Sequence, residues 1–243
     1  MEADYNYGIN WDLFYQQTLN NNKTKALWDV PASLAAAKDF EQFKNDLTND
    51  LPIIDLGCGT GTQSLFFAQF YPQVIGLDVS QQAIDYAEHN SAKKNISFDI
   101  FNGLDRHKAR EIHQQWGDVH IYMRGVFHQI LPSDQVNFIE VIKIFLGQQG
   151  KLFLCEVSDN IRTYFSQENG TSFSQLPTKL KAVFISHLPP RGVSLRDLTE
   201  SFPERDFSII SMGNTQLYTN IKIKDSEPIF IPAVYAIITP KSH

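Results

Sequence analysis

The sequence predicts an α/β fold, a mostly parallel sheet wound on both faces by helices. Three observations predict it. Ile53-Ile54-Asp55-Leu56 is a strand-like run that passes directly into Gly57-Cys58-Gly59-Thr60-Gly61 and then into Thr62 to Ala68, which has helical character. A second apolar run, Val74 to Leu77, ends in Asp78. From residue 52 to residue 157, segments of strand and helix character alternate without a break. A chain of 243 residues is long enough for one full core with helical additions.

Residues 1–48 precede the first core strand and read as helical. Trp11, Phe14, Tyr15 and Thr18 share one face, and Phe40, Phe43 and Leu47 share another at helical spacing. Asn20-Asn21-Asn22 separates the two helices, and Pro31 suits the first turn of the second. After Asp78, Ser80 is placed to cap a helix from Gln81. Ile96 to Phe101 alternates as a third strand, a polar helix runs through Glu111 to Trp116, and Asp118 to Met123 is a fourth strand. Ser133 is expected to cap a long helix from Asp134 to Leu146, stopped by Gly147. Lys151 to Val157 is the fifth strand.

Regularity lapses over 158–193, where polar turns alternate with aromatics. So long a stretch without structure is uncommon, so a helix near Leu176 to His187 and a capping insertion are expected. A helix opened by Ser194, a strand near Phe207 to Met212 and a last strand from Ala233 to Thr239 complete the domain. The expected division is a helical lid over 1–48 and a main domain over 49–243.

The glycine turn points to a ligand. Glycines at alternate positions let a ligand approach the backbone where a Cβ would stand in its way. The N–H groups of the turn and of the helix start face outward as donors. Asp78, at the end of the next strand, is placed for the two hydroxyls of a ribose. The spacing is G-x-G-x-G, not the G-x-G-x-x-G of a dinucleotide site, and Asp55 stands two residues before the first glycine. A carboxylate there repels a pyrophosphate and suits a ligand carrying an ammonium and a sulfonium. Asp55 to Gly61 closely resembles motif I of the class I S-adenosylmethionine-dependent methyltransferases, and Val74 to Ser80 resembles that family's second motif.

The resemblance implies a Rossmann-like seven-stranded sheet whose last two strands form an antiparallel hairpin, and S-adenosylmethionine as cofactor. It implies that Asp55 meets the methionine ammonium, that Gly57 and Gly59 lie against the methionine and ribose, and that Val79 packs on the adenine. Asn102-Gly103-Leu104 resembles the family's adenine loop, although an Asp more usually stands at the first position. Asp105 is an alternative there after a loop shift. Met123 to Ile130 resembles motif IV of the small-molecule branch, and the Asn-Pro-Pro-Tyr type motif of amide and adenine N-methylating members is absent.

His128 is the best candidate for a general base, because an imidazole titrates near neutrality. Its alternative role is a structural histidine bonded to nearby backbone. Arg124 is a candidate to hold the cofactor's methionine carboxylate or a substrate carboxylate, with an ordinary salt bridge as the alternative. Trp11, Tyr15 and Trp28 are candidate lid residues over the substrate, or plain core. Cys58 stands where a small residue is needed, and the two cysteines do not read as a disulfide framework. No histidine shows metal-ligand spacing with cysteine or acid, so no metal is expected; His187, near the cap, is the one remaining histidine of interest.

A formal net charge of −6 argues against a nucleic-acid partner. The N-terminus lacks the charged and apolar regions of a signal peptide, and no apolar run is long enough to span a bilayer. A cytoplasmic enzyme without a membrane partner is expected. Two aromatic-rich flanks suit an enclosed, largely apolar pocket. The reading is methyl transfer to a small organic molecule, at oxygen. A protein or peptide acceptor and a non-catalytic S-adenosylmethionine-binding domain are the alternatives.

Overall fold

In the computed structural model, residues 6–20, 26–161, 191–222 and 228–241 are described. The expected cap, including the helix near Leu176 to His187, falls almost wholly outside them.

Strand β1 (Ile53–Leu56) lies in the middle of a seven-stranded sheet. On one side are β2 (Val74–Asp78) and β3 (Ile96–Ile100). On the other are β4 (His120–Arg124), β5 (Leu152–Val157), β7 (Pro228–Pro240) and, at the edge, β6 (Phe207–Lys222). The strands from β1 to β5 are parallel, with Ile54 beside Ile75 and Ile121. Strand β7 runs antiparallel to both β5 and β6, giving the expected C-terminal hairpin. The order reverses between β1 and β4, which opens a crevice at the carboxyl ends of these strands.

Alternation along β1 sends its side chains to two cores. Ile53 joins Phe43 of α2 (Ala36–Phe43) and Phe67 of α3 (Thr62–Phe67). Ile54 and Leu56 join the core built by α5 (Arg106–Trp116), α6 (Pro132–Leu146) and α7 (Leu195–Ser201). The remaining helices are α1 (Tyr7–Asn20) and α4 (Gln81–His89).

The expected caps form at two helices. The Ser80 hydroxyl accepts from the Ala83 N–H at 3.2 Å, and Ser194 forms a reciprocal capping box with Asp197. Three boundaries differ from expectation. Helix α6 begins at Pro132, which needs no N–H partner at that position, so Ser133 lies inside the helix and not at its cap. Pro31 opens a short 3-10 turn, Ala32–Leu34, and α2 starts only after Ala35 leaves helical geometry. Strand β6 runs 16 residues, far beyond Met212, because it pairs with β7 along nearly its whole length.

Candidate functional site

The glycine turn sits at the mouth of the crevice. The N–H groups of Gly57 and Cys58 both donate to the Leu77 carbonyl, at 2.7 and 3.0 Å. This ties the turn to β2. Gly57 (φ 78°) and Gly59 (φ 52°) occupy the left-handed region. A Cβ on Gly57 would lie 2.3 Å from a methyl of Val126, and one on Gly59 would lie 2.6 Å from the Tyr15 hydroxyl. Glycine is therefore required at both by backbone and by space.

Two buried carboxyl groups flank the turn. Asp78 accepts from the Gly59 N–H at 2.8 Å through one oxygen and from the Ser80 N–H at 2.9 Å through the other. Burial pushes it up to about 6, against the opposing pull of those N–H groups. Asp55 shares the face of Ile53 and accepts from the Ser64 hydroxyl of α3. Burial pushes it up to about 7; the Ser64 bond lowers it and the nearby Asp78 raises it. Both line one cavity, and neither pairs with a cationic side chain among the described residues. A ligand bearing positive charge and hydroxyls matches that pair.

Val79, Gly103, Leu104 and Phe138 line the cavity beyond Asp78 as an apolar slot, and a Cβ on Gly103 would lie 2.7 Å from the Phe138 ring. Asn102 stands at its rim, exposed, with its side-chain oxygen accepting from the Leu104 N–H at 3.0 Å. That is the turn-forming role of Asn, and it leaves the amide N–H groups facing outward. Asp105 is occupied as the cap of α5, accepting from the His107 and Lys108 N–H groups, so the loop shift that would bring it to the slot is not seen.

His128 lies in a 3-10 turn (Phe127–Gln129) and lines the same cavity. Its Nδ1 is 2.7 Å from Oε2 of Glu156, a fully buried carboxylate at the end of β5. Glu156 also accepts from the N–H groups of Val126, Phe127 and His128, at 2.9 to 3.2 Å. The Nε2 of His128 is 2.7 Å from the Gln129 amide nitrogen. Glu156 was not among the residues singled out from sequence. Its only sequence signal is an acid in an otherwise apolar strand.

Arg124, at the end of β4, reaches the cavity from the α2 side. Its Nε is 3.2 Å from Oδ2 of Asp39, which also accepts from the Tyr122 hydroxyl at 2.7 Å. Asp39 is a second residue missed from sequence, since only folding brings α2 to β4.

The N-terminal segment roofs the cavity. Trp11, Tyr15 and Trp28 line it, and with Phe14 they form an aromatic cluster with ring centroids 5.2 to 6.0 Å apart. Helix α1 is clipped on two sides. The Tyr7 hydroxyl donates to Asp134 at 2.9 Å and accepts from the Leu131 N–H at 2.8 Å. On the opposite side, Asp12 accepts from the Ser80 hydroxyl at 2.7 Å and the Gln82 N–H at 3.2 Å. Asn220 of β6 fastens the following segment through the carbonyls of Ala26, Leu27 and Asp29. Helix α2, by contrast, packs its Phe43 in the sheet core.

Comparison with known proteins gives one family. A profile described as a methyltransferase domain matches residues 47–188. A solved structure of an S-adenosylmethionine-dependent methyltransferase from Anabaena variabilis is 32% identical, with a TM-score of 0.89 over 99% of this chain and 98% of that one. Among curated proteins, an uncharacterized RNA methyltransferase of Bacillus cereus is 34% identical over 95 residues, 39% of this chain and 18% of that protein. A ubiquinone biosynthesis O-methyltransferase of Bartonella tribocorum is 29% identical over 110 residues, 45% of this chain and 42% of that protein. The chain thus spans less than a fifth of the length of the RNA methyltransferase and under half that of the O-methyltransferase.

Proposed function

Since this chain belongs to the class I S-adenosylmethionine-dependent methyltransferases, we propose that it transfers a methyl group to a small organic molecule, at oxygen, inside the roofed cavity. The observation that carries this reading is that Trp11 and Tyr15 of α1, with Trp28, line the same cavity as the glycine turn and His128, the Tyr15 hydroxyl lying against Gly59.

The cofactor fits the residues present. Gly57 and Gly59 leave the backbone bare, Asp55 suits the methionine ammonium, and Asp78 has lone pairs left for the ribose hydroxyls. Val79, Gly103 and Leu104 flank the adenine, with the Asn102 amide at its edge. When bound there, S-adenosylmethionine supplies an activated methyl group on a sulfonium. The chain's own contribution is alignment, worth up to about 7–11 kcal/mol of barrier, and exclusion of water. His128 is the proton acceptor in this reading. Glu156 takes the Nδ1–H, so the Nε2 lone pair faces the cavity, where the acceptor hydroxyl replaces the Gln129 amide. The hydroxyl proton would pass to Nε2, freeing the oxygen to form its bond to the methyl group as the carbon–sulfur bond breaks and S-adenosylhomocysteine departs.

Of the segment 1–48 expected as a lid, the described part up to Asp29 serves as one in this reading while α2 belongs to the core, and 49–243 is the transferase domain, in a cytoplasmic setting. Among the described residues no helix is long and apolar enough to cross a membrane. An RNA acceptor, suggested by the name of the Bacillus cereus relative, needs a basic, open surface. A protein or peptide acceptor needs an open groove. The formal charge of −6 and the roof over the cavity favour neither.

The test is turnover. Purified chain, labelled S-adenosylmethionine and pools of hydroxylated small molecules are expected to give S-adenosylhomocysteine and a methylated product seen by mass spectrometry. Tight cofactor binding with no transfer to any small molecule, and transfer to total RNA instead, would sink the reading.

A further inference from the structure

Arg124 is a largely buried cation whose hydrogen-bonding capacity is mostly unused. Its side chain is 8% exposed. A guanidinium carries five N–H donors, and among the described residues its one anionic partner is Asp39, beside the buried Nε, which has no aligned acceptor. The carboxylate of Asp39 lies within ion-pair distance of Nε but off the line of its N–H, and its Oδ2 is already taken by the Tyr122 hydroxyl. Buried donors without acceptors are costly, and a guanidinium more so than a neutral group. Such an arrangement calls for a partner on the open side of the guanidinium, a ligand group or a bound water.

The surroundings define that ligand. Among the described residues Arg124 is the only Lys or Arg lining the cavity, and it lies in the half away from Asp78 and Asn102. The walls there include the apolar Val157, Ile161, Leu217 and Ile231, with Tyr218 and Thr219 of β6 beside them. Asp29, Asp55 and Asp78 line the same cavity, so a group with two negative charges is repelled. A single carboxylate meets the guanidinium fork with two parallel hydrogen bonds.

Resting on the proposed function, we infer that the methyl acceptor is an apolar organic acid whose carboxylate is received by Arg124. The guanidinium is its anchor, and the apolar body lies along β5, β7 and β6. The one other source of the same chemistry is the methionine carboxylate of the cofactor.

Calorimetry on the full chain separates the two. With the chain saturated by S-adenosylhomocysteine, octanoate is expected to bind at least ~10-fold more tightly than octanamide, because only the acid forms charge-assisted bonds to the fork. In the double variant Arg124→Met with Asp39→Asn, which leaves no buried carboxylate alone, that preference is expected to vanish while affinity for S-adenosylhomocysteine stays within about twofold. Equal binding of acid and amide by the unaltered chain, no binding of either, or a preference that survives in the double variant overturns the inference. So does loss of S-adenosylhomocysteine affinity in the double variant with 5′-methylthioadenosine, which lacks the amino-acid portion, still bound normally; the guanidinium then serves the cofactor. Failure of the unaltered chain to bind S-adenosylhomocysteine is a different result and removes the functional reading itself.

Discussion

Nδ1 of His128 lies 2.7 Å from Oε2 of Glu156, on a carboxylate that also accepts three consecutive backbone N–H groups. The carboxylate therefore fixes both the turn that carries the imidazole and the ring nitrogen that holds the proton. A role in catalysis and a role in holding the turn make different demands, and they separate experimentally.

If the imidazole accepts the acceptor's proton, His128→Ala lowers kcat by ~10²-fold or more with little change in cofactor affinity. Nitrogen NMR of the chain bound to S-adenosylhomocysteine is expected to find the proton on Nδ1. A rate that survives loss of the imidazole and is flat on the acidic side of neutrality makes His128 structural, as does a proton found on Nε2.

The two buried carboxyls give cofactor binding a pH dependence. Asp55 at about 7 and Asp78 at about 6 are partly protonated near neutrality in the cofactor-free chain. A cationic ligand favours their ionised forms, so binding of S-adenosylmethionine releases protons and weakens as pH falls through 7 and then 6. The limit is about tenfold per pH unit for each proton displaced. The sign for folding is opposite. Both values are raised above the unfolded carboxylate, so their contribution to stability is full below about pH 4 and is lost as pH rises through 6 to 7. Calorimetry in buffers of different ionisation enthalpy measures the released protons, and Asp55→Asn removes part of them. Cofactor affinity independent of pH from 5 to 8 contradicts this account. Asp78→Ala is expected to weaken S-adenosylhomocysteine by about 1–3 kcal/mol, through stranded hydrogen bonds.

Sequence legibility followed chain distance. Asp55, the glycine turn and Asp78 were readable because strand, turn and strand end are local features of one βαβ unit. The partners that complete the site were not. Glu156 is 28 residues from His128, and Asp134 is 127 from Tyr7. An isolated acid in an apolar strand carries no local sign of which backbone it will cap. The length of β6 was hidden for a related reason. Residues Asn214 to Asn220 are mostly polar, and only pairing with β7 makes them a strand. The start of α6 was misplaced because two capping signals compete, Pro132 and Ser133, and the proline decides the backbone.

Gly57 offers a test of the turn with an internal control. Alanine there meets both a left-handed backbone, costing about 1–2 kcal/mol, and a clash with Val126 that adds ~1–3 kcal/mol. Gly117, at the end of α5, has φ 72° and ψ −157°, a region open essentially to glycine alone, and nothing within 4 Å of the place a Cβ would take. Gly117→Ala is expected to cost only the backbone part and to leave S-adenosylhomocysteine affinity unchanged. Gly57→Ala is expected to lose both stability and binding. A Gly57→Ala variant that binds S-adenosylhomocysteine as the unaltered chain does contradicts the crowding at the turn.

The clip at Tyr7 is expected to govern how the cofactor enters and leaves. Its hydroxyl links α1 to Asp134 at 2.9 Å and to the Leu131 N–H at 2.8 Å, while Asp12 holds the opposite side on α4. The aromatic cluster of Trp11, Tyr15 and Trp28 lines the cavity, and opening of at least one clip is the expected route of ligand exchange. Tyr7→Phe keeps the ring and removes both hydrogen bonds, one of them to a carboxylate. The docked state of α1 is then expected to lose about 1–3 kcal/mol. That corresponds to dissociation of S-adenosylhomocysteine faster by roughly 5- to 150-fold, read by stopped-flow fluorescence of the nearby tryptophans. Hydrogen exchange over the described residues of 6–30 is expected to quicken in the variant, while β1 and β4 stay protected, because their bonds do not depend on the roof. A variant with unchanged dissociation and unchanged exchange would make α1 a fixed wall, and access would then have to come past the ends of β6 and β7.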